Sequence, residues 1–116
     1  MPKNISITEL SDLIKSGQAE IIDVREPDEY EIIRIKEGKL IPGSELAARQ
    51  GEINWQKTVV FYCRTGARSS LAANYFACQG REAFNLSGGI KAFYEDKSFG
   101  DLEILANAEE INRYLA

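Results

Sequence analysis

Apolar residues along the chain fall into short blocks separated by polar turns, and the blocks alternate between strand-like and helix-like spacing. Thr58 to Tyr62 (TVVFY) is the clearest strand: short, almost wholly apolar, and rich in β-branched and aromatic residues. Ala19 to Val24 (AEIIDV) reads as a second buried strand, broken by Arg25, Glu26 and Pro27. Shorter strands are expected at Ile5 to Ile7, at Lys39 to Ile41 on a sheet edge, and at Ala83 to Leu86. Between them the spacing turns helical. Thr8 is placed to cap a helix running through Lys15, with Gly17 as its stop. A short helix is expected over Asp28 to Ile33, and Ser44 opens a helical stretch toward Gln50. From Arg68 to Gln79, Leu71, Tyr75 and Cys78 recur at i, i+4 and i+7, which predicts a helix with these three on its apolar face and Gly80 as its terminator. Ser87-Gly88-Gly89 reads as a tight turn before a helix over Ile90 to Asp96. Asn107, with Glu110 three residues on, opens a last helix whose apolar edge is Ile111, Tyr114 and Leu115.

Strands separated by helices predict an α/β fold, a small, largely parallel sheet flanked by helices on both faces, with ligands beyond the carboxyl ends of strands. The length of 116 residues, 44% of them hydrophobic, suits one ordinary soluble domain with an adequate core. We divide the chain into a domain over residues 1–97 and a C-terminal helical extension over 98–116. That last helix is expected to cover the domain's own core, with docking to a partner or a second copy as the alternative.

Charge and composition narrow the chemistry. A formal net charge of -4 argues against binding nucleic acid through an extended basic face. No uncharged apolar run approaches the ~18 residues of a membrane span. The opening MPKNISITEL lacks the basic and apolar regions of a secretory signal, so no membrane partner is expected and the cytoplasm is the expected address. Histidine is absent, which removes the commonest metal ligand and general base and with them a zinc site or a Cys-His catalytic pair. Cys63 and Cys78 read as two free thiols of a reducing compartment.

Cys63 directly follows the TVVFY strand and opens the loop Cys63-Arg64-Thr65-Gly66-Ala67-Arg68 into the next helix. The loop is polar, so the thiol is expected to be reachable by solvent. A thiol pKa falls from ~8.5 near a helix N-terminus or an arginine, and both are expected here. Backbone N–H groups of residues 64–68 can converge on the sulfur as an anion-binding nest, and Gly66 permits the turn. Arg64 and Arg68 are placed to hold the oxygens of an oxyanion whose electrophilic atom faces Cys63, while Ser69 and Ser70 cap free N–H groups. The segment from 63 to 68 carries positive charge on an acidic chain, which favours a small anion. A lone cysteine after a strand is usually an inert small hydrophobe; followed by x-x-Gly-x-Arg-Ser it reads as a nucleophile. Cys78 reads as core packing instead of a resolving thiol, Asp23 and Arg25 as a fold-holding ion pair, and Gly88-Gly89 as a helix-opening turn rather than a phosphate cradle.

Taken in order, IIDVREPDEYE, GKLIPGSEL, YCRTGARSS and NLSGGIKAF resemble the rhodanese sulfurtransferase domain, from about Ile5 to about Tyr94, with the C-terminal tail uncovered. The resemblance implies a rhodanese-like fold in which Cys63 would take a sulfane sulfur from a donor as a persulfide and pass it to a thiol or other nucleophilic acceptor. Two such half-reactions imply ping-pong kinetics. Backbone N–H groups of Arg64, Thr65, Gly66, Ala67 and Arg68 would stabilise the persulfide, and Arg64 and Arg68 would orient a small anionic donor such as thiosulfate. Polysulfide or a persulfide would serve equally as donor, a sulfur-carrier protein equally as acceptor, and no metal or organic cofactor is implied. The family's usual Gly-His-Ile-Pro-Gly is here Gly38-Lys39-Leu40-Ile41-Pro42-Gly43, and its frequent tryptophan after the Gly-Gly turn is Phe93. EYEIIRIKEGKLIP also resembles rhodanese domains attached to ubiquitin-activating-type adenylating enzymes, which sulfurate small carrier proteins. Two rival classes stand beside this one. Cysteine-based phosphatases resemble Cys-x5-Arg, whereas Cys63 and Arg68 enclose four residues, a loop that suits a sulfur atom better than a phosphoryl group. A non-catalytic rhodanese-like protein-binding module is the other; the intact cysteine loop argues against it but is compatible with a persulfide carrier of negligible turnover towards thiosulfate.

Overall fold

In the computed structural model, which describes residues 3–96 and 99–116, the TVVFY block becomes β5 (Thr58–Tyr62), the central strand of a five-stranded sheet. Around it lie β1 (Lys3–Ile5), β2 (Ala19–Asp23), β4 (Gly38–Leu40) and β6 (Ala83–Leu86), in the spatial order β1-β6-β5-β2-β4 and parallel throughout. The helices are α1 (Ile7–Ser16), α2 (Pro27–Tyr30), α3 (Ala67–Ala77), α4 (Gly89–Glu95) and α5 (Ala108–Leu115). A separate antiparallel pair joins β3 (Ile33–Ile35) to β7 (Leu102–Ile104). Among the described residues no helix is long and apolar enough to cross a membrane.

Successive side chains of a strand point to opposite faces, so an uninterrupted apolar strand feeds two cores. Val60 and Tyr62 pack with Leu10, Ile21, Ile90 and Phe93, under α1 and α4. Val59, Phe61 and Cys63 pack with Ile22, Ala72, Ala73 and Phe76, under α3. Helices therefore cover both faces, as the alternation of blocks implies. Leu102, Ile111 and Leu115 from the C-terminal segment join the first of these cores.

Several local expectations shift. Ser6, not Thr8, caps α1: its hydroxyl accepts the Glu9 N–H at 3.1 Å while the Glu9 carboxylate accepts the Ser6 N–H at 3.0 Å. The reciprocal pair starts the helix two residues early and leaves Ile7 outside the first strand. The helix expected over Asp28 to Ile33 ends at Tyr30, because Ile33 and Ile35 are drawn into pairing with Ile104 and Leu102 far along the chain. The stretch from Ser44 to Gln50 forms no α-helix, only 3-10 turns at Gly43–Glu45 and Gln50–Glu52 with Leu46 and Ile53 turned inward. On α3 the buried face is Ser69, Ala72, Ala73 and Phe76, while Leu71 is 74% exposed and Tyr75 and Cys78 are also exposed. Small residues let the helix lie close to the sheet, a face that a search for large apolar side chains overlooks. Cys78 is thus not a core residue.

Candidate active site

Cys63 is carried past the end of β5 by the buried apolar run, and the chain then turns through Gly66 at φ 107° into α3. Only a residue without a β-carbon adopts that left-handed geometry readily. The turn aims donors back at the sulfur: the Gly66 N–H lies 3.1 Å from Sγ, the Ser69 N–H 3.5 Å, and Ser69 Oγ 3.3 Å. The thiol is not open to solvent as expected; Cys63 is 1% exposed, because the loop folds over it and its side chain packs with Val24, Phe61 and Ala73. Burial pushes the thiol pKa up, but the Ser69 hydroxyl and the N–H groups of Ser69, Gly66 and Thr65 outweigh it and hold the group below the ordinary thiol value.

Ser69 does not cap the helix. Its hydroxyl sits 2.6 Å from Asn85 Oδ1 on β6 as well as beside Sγ, and its single hydrogen serves one acceptor at a time. Behind the loop, α4 supplies a clamp. Its Ile90 and Lys91 N–H groups donate to the carbonyls of Cys63 and Arg64 at 2.9 and 3.0 Å. With the carbonyls held from behind, the loop's own N–H groups are free to face forward. Gly89 makes the approach feasible: at φ +62°, a β-carbon there would stand 2.4 Å from the Arg64 carbonyl oxygen and 2.7 Å from that of Cys63. The Gly-Gly pair is thus more than a helix-opening turn.

The two loop arginines engage different protein groups. Arg68 closes a two-pronged pair on Glu29, Nη1 to Oε1 at 2.7 Å and Nη2 to Oε2 at 2.9 Å. Burial raises the Glu29 carboxyl pKa, but Arg68, the Tyr114 hydroxyl at 2.5 Å and the Glu26 N–H together hold it down to about 2. Arg64 Nη1 lies 3.4 Å from the Ala116 main-chain oxygen. The expected oxyanion fork is therefore occupied by protein groups, and Glu29 is the residue that sequence reasoning missed. Its position in IIDVREPDEYE marked a helix, not a partner for a residue 39 places away.

Asp23 and Arg25 form the fold-holding pair expected of them. Both are fully buried, with Arg25 Nη2 2.8 Å from Asp23 Oδ2, and every remaining polar edge is engaged: Arg25 donates to the Ile33 carbonyl and the Tyr114 hydroxyl, and Tyr62 donates to Asp23. Burying such a pair is tolerated when its remaining lone pairs and protons find partners. A chain of hydrogen bonds then runs from this pair through Tyr114 and Glu29 to Arg68.

Beside the loop opens a cleft of about 530 Å³ lined by Val24, Leu46, Ala47, Arg68, Leu71 and Tyr75 among others. Val24 and Leu46 also belong to the cluster that packs Cys63. Leu71 and Tyr75, expected in the core, form part of this wall.

Residues 6–96 match the family described as the Rhodanese-like domain. The Uncharacterized protein YqhL of Bacillus subtilis is 43% identical over 75 residues, which are 64% of this chain and 60% of that protein. The Probable adenylyltransferase/sulfurtransferase MoeZ of Mycobacterium tuberculosis is 38% identical over 93 residues, covering 77% of this chain but only 24% of that protein. This chain thus spans less than two thirds of either relative. The crystal structure of a rhodanese-related protein from Thermoplasma volcanium superposes with a TM-score of 0.74 at 29% identity, covering 81% of this chain and 92% of that one. A cysteine loop leaving the central strand of a parallel sheet, and likeness in both sequence and structure over most of the length, lead to one assignment: the chain belongs to the rhodanese-like domain family.

Proposed function

We propose that this protein is a sulfurtransferase that moves sulfane sulfur through a persulfide on Cys63. The observation that carries the reading is the set of donors around Sγ, two backbone N–H groups within 3.5 Å and the Ser69 hydroxyl, whose one hydrogen Sγ shares with Asn85, which favours sulfur in its anionic form. In the first half-reaction the Cys63 thiolate attacks the sulfane sulfur of the donor. The donor's bond to that sulfur breaks, its electron pair leaving with sulfite or a thiolate, and Cys63 becomes a persulfide. In the second, an acceptor thiolate attacks the outer sulfur, the S–S bond to Cys63 breaks, and the electron pair returns to Cys63 as thiolate. No net oxidation occurs across the cycle.

The N–H groups of Arg64, Thr65, Gly66, Ala67 and Arg68 line the outer sulfur in this account. Burial of Sγ leaves that outer sulfur as the atom an acceptor meets. A reducing, cytoplasmic setting is consistent with free thiols at Cys63 and Cys78. The kinship with a protein named as a sulfurtransferase supports the same chemistry. Cys63→Ser should abolish sulfur transfer to a thiol acceptor while its urea unfolding stays within about 1 kcal/mol of the parent. A folded serine variant that retained turnover would defeat the assignment.

A further inference from the structure

The cleft and the Arg68 pair, taken together, constrain the donor. Arg68 has the planar fork that suits a small dianion, but both prongs are closed on Glu29, and Tyr114 braces the far side of that carboxylate at 2.5 Å. A dianion would meet a guanidinium whose charge and two-pronged edge Glu29 already matches, and taking that edge would leave the Glu29 charge without its cation in a site where the Glu29 side chain is only 15% exposed. Glu26 places a carboxylate in the cleft wall itself. Against this, Val24, Leu46, Ala47, Leu71, Ala72 and Tyr75 offer an apolar bed, and Leu71 is 74% exposed. A volume of about 530 Å³ is far larger than an inorganic anion fills and matches a small organic body.

Building on the sulfur-transfer reading of Cys63, we infer that the preferred donor is a small organic hydropersulfide with an apolar carbon body, and that Glu29 sets this preference by occupying the Arg68 fork. The apolar body lies against Leu71 and Tyr75, and the S–SH end reaches the cysteine loop. Cys63 thiolate attacks the outer sulfur of R–S–SH, the donor S–S bond breaks, R–S⁻ departs with the electron pair, and Cys63–S–SH remains with the donor's proton. Glu29 is a specificity-determining residue here, acting through Arg68.

The test measures the rate of sulfur gain on Cys63 with benzyl hydropersulfide, cysteine hydropersulfide and thiosulfate, in the wild type, Glu29→Gln and Leu71→Glu. The two hydropersulfides share one reacting S–SH group but expel different thiolates, so their ratio is set against that of the free thiol cysteine attacking the same donors, and the remainder reports the cleft. Beyond that reference the wild type should favour the benzyl donor by about tenfold, and Leu71→Glu should erase most of that ratio, as loss of an apolar contact does. Glu29→Gln keeps an acceptor for Tyr114 but frees the guanidinium; the thiosulfate-to-benzyl ratio should rise by about tenfold, through a lower half-saturating thiosulfate concentration, not a higher limiting rate. Equal rates for the two hydropersulfides relative to that reference, or a thiosulfate ratio unmoved by Glu29→Gln, would overturn the inference while leaving Cys63 as the carrier. No sulfur gain with any donor would overturn the sulfur-transfer reading and this inference with it. Leu71 is exposed, so its variant folds whatever becomes of Glu29→Gln.

Discussion

Two opposing effects act on the Cys63 thiol, and their balance has a pH signature. Burial favours the neutral thiol, whereas the Ser69 hydroxyl and the loop N–H groups favour the thiolate and prevail. The folded pKa therefore lies below the unfolded one. The stability contributed by these hydrogen bonds is present above the unfolded thiol pKa and is lost as pH falls through the folded value. Nucleophilicity follows the thiolate fraction, so alkylation of Cys63 by iodoacetamide, located by peptide mass, should rise through a midpoint below that of an ordinary thiol. Ser69→Ala removes the largest thiolate-favouring contact and should move that midpoint upward. A wild-type midpoint at or above the ordinary value, or one that Ser69→Ala left in place, would contradict this account. At this scale the sequence shows what is local. Cys63 and Gly66 were legible because strand end, turn and helix start are contiguous. Ser69's partner Asn85 lies 16 residues away and Arg68's partner Glu29 39 away, distances that only the folded sheet closes.

Among the elements, α4 is the one whose placement the site depends on. Its N–H groups hold the Cys63 and Arg64 carbonyls, and Gly89 is the contact point. Gly89→Ala should cost about 2 kcal/mol or more in urea unfolding, since backbone blocks the added carbon, and should depress sulfur transfer in whatever fraction still folds. Gly80→Ala is the control: φ is +85°, yet nothing stands within 4 Å of the added carbon, so only backbone strain of about 1 kcal/mol is expected. Equal losses at the two positions would mean that the close approach of α4 is immaterial. Element types at β2, β5, β6 and α5 could be read from the chain because their apolar runs and caps are strong and local. The faces of α3 could not. Leu71 and Tyr75 satisfy the helical template yet line a cleft, whereas Ser69, Ala72 and Ala73 are buried because they are small.

For the molecule as a whole, alternating blocks were enough to anticipate a parallel sheet covered on both faces, with the cysteine loop beyond the end of a strand. The β3–β7 pair was not legible, since Ile33 and Ile104 meet across some seventy residues and each strand is only three residues long. That pair, with Ile111 and Leu115 in the core under α1 and α4, ties the C-terminal segment to the rest. Tyr114 on α5 then touches both the buried Arg25 and Glu29, so the geometry around Arg68 depends on residues from both ends of the chain. The proposed transfer requires sulfur to reside on one atom of this assembly. Intact mass spectrometry of the reduced protein after brief exposure to polysulfide tests it most directly. The expected result is a gain of one sulfur that is absent in Cys63→Ser and disappears when a thiol acceptor is added. A gain that persists in Cys63→Ser, or one that no acceptor removes, would contradict it.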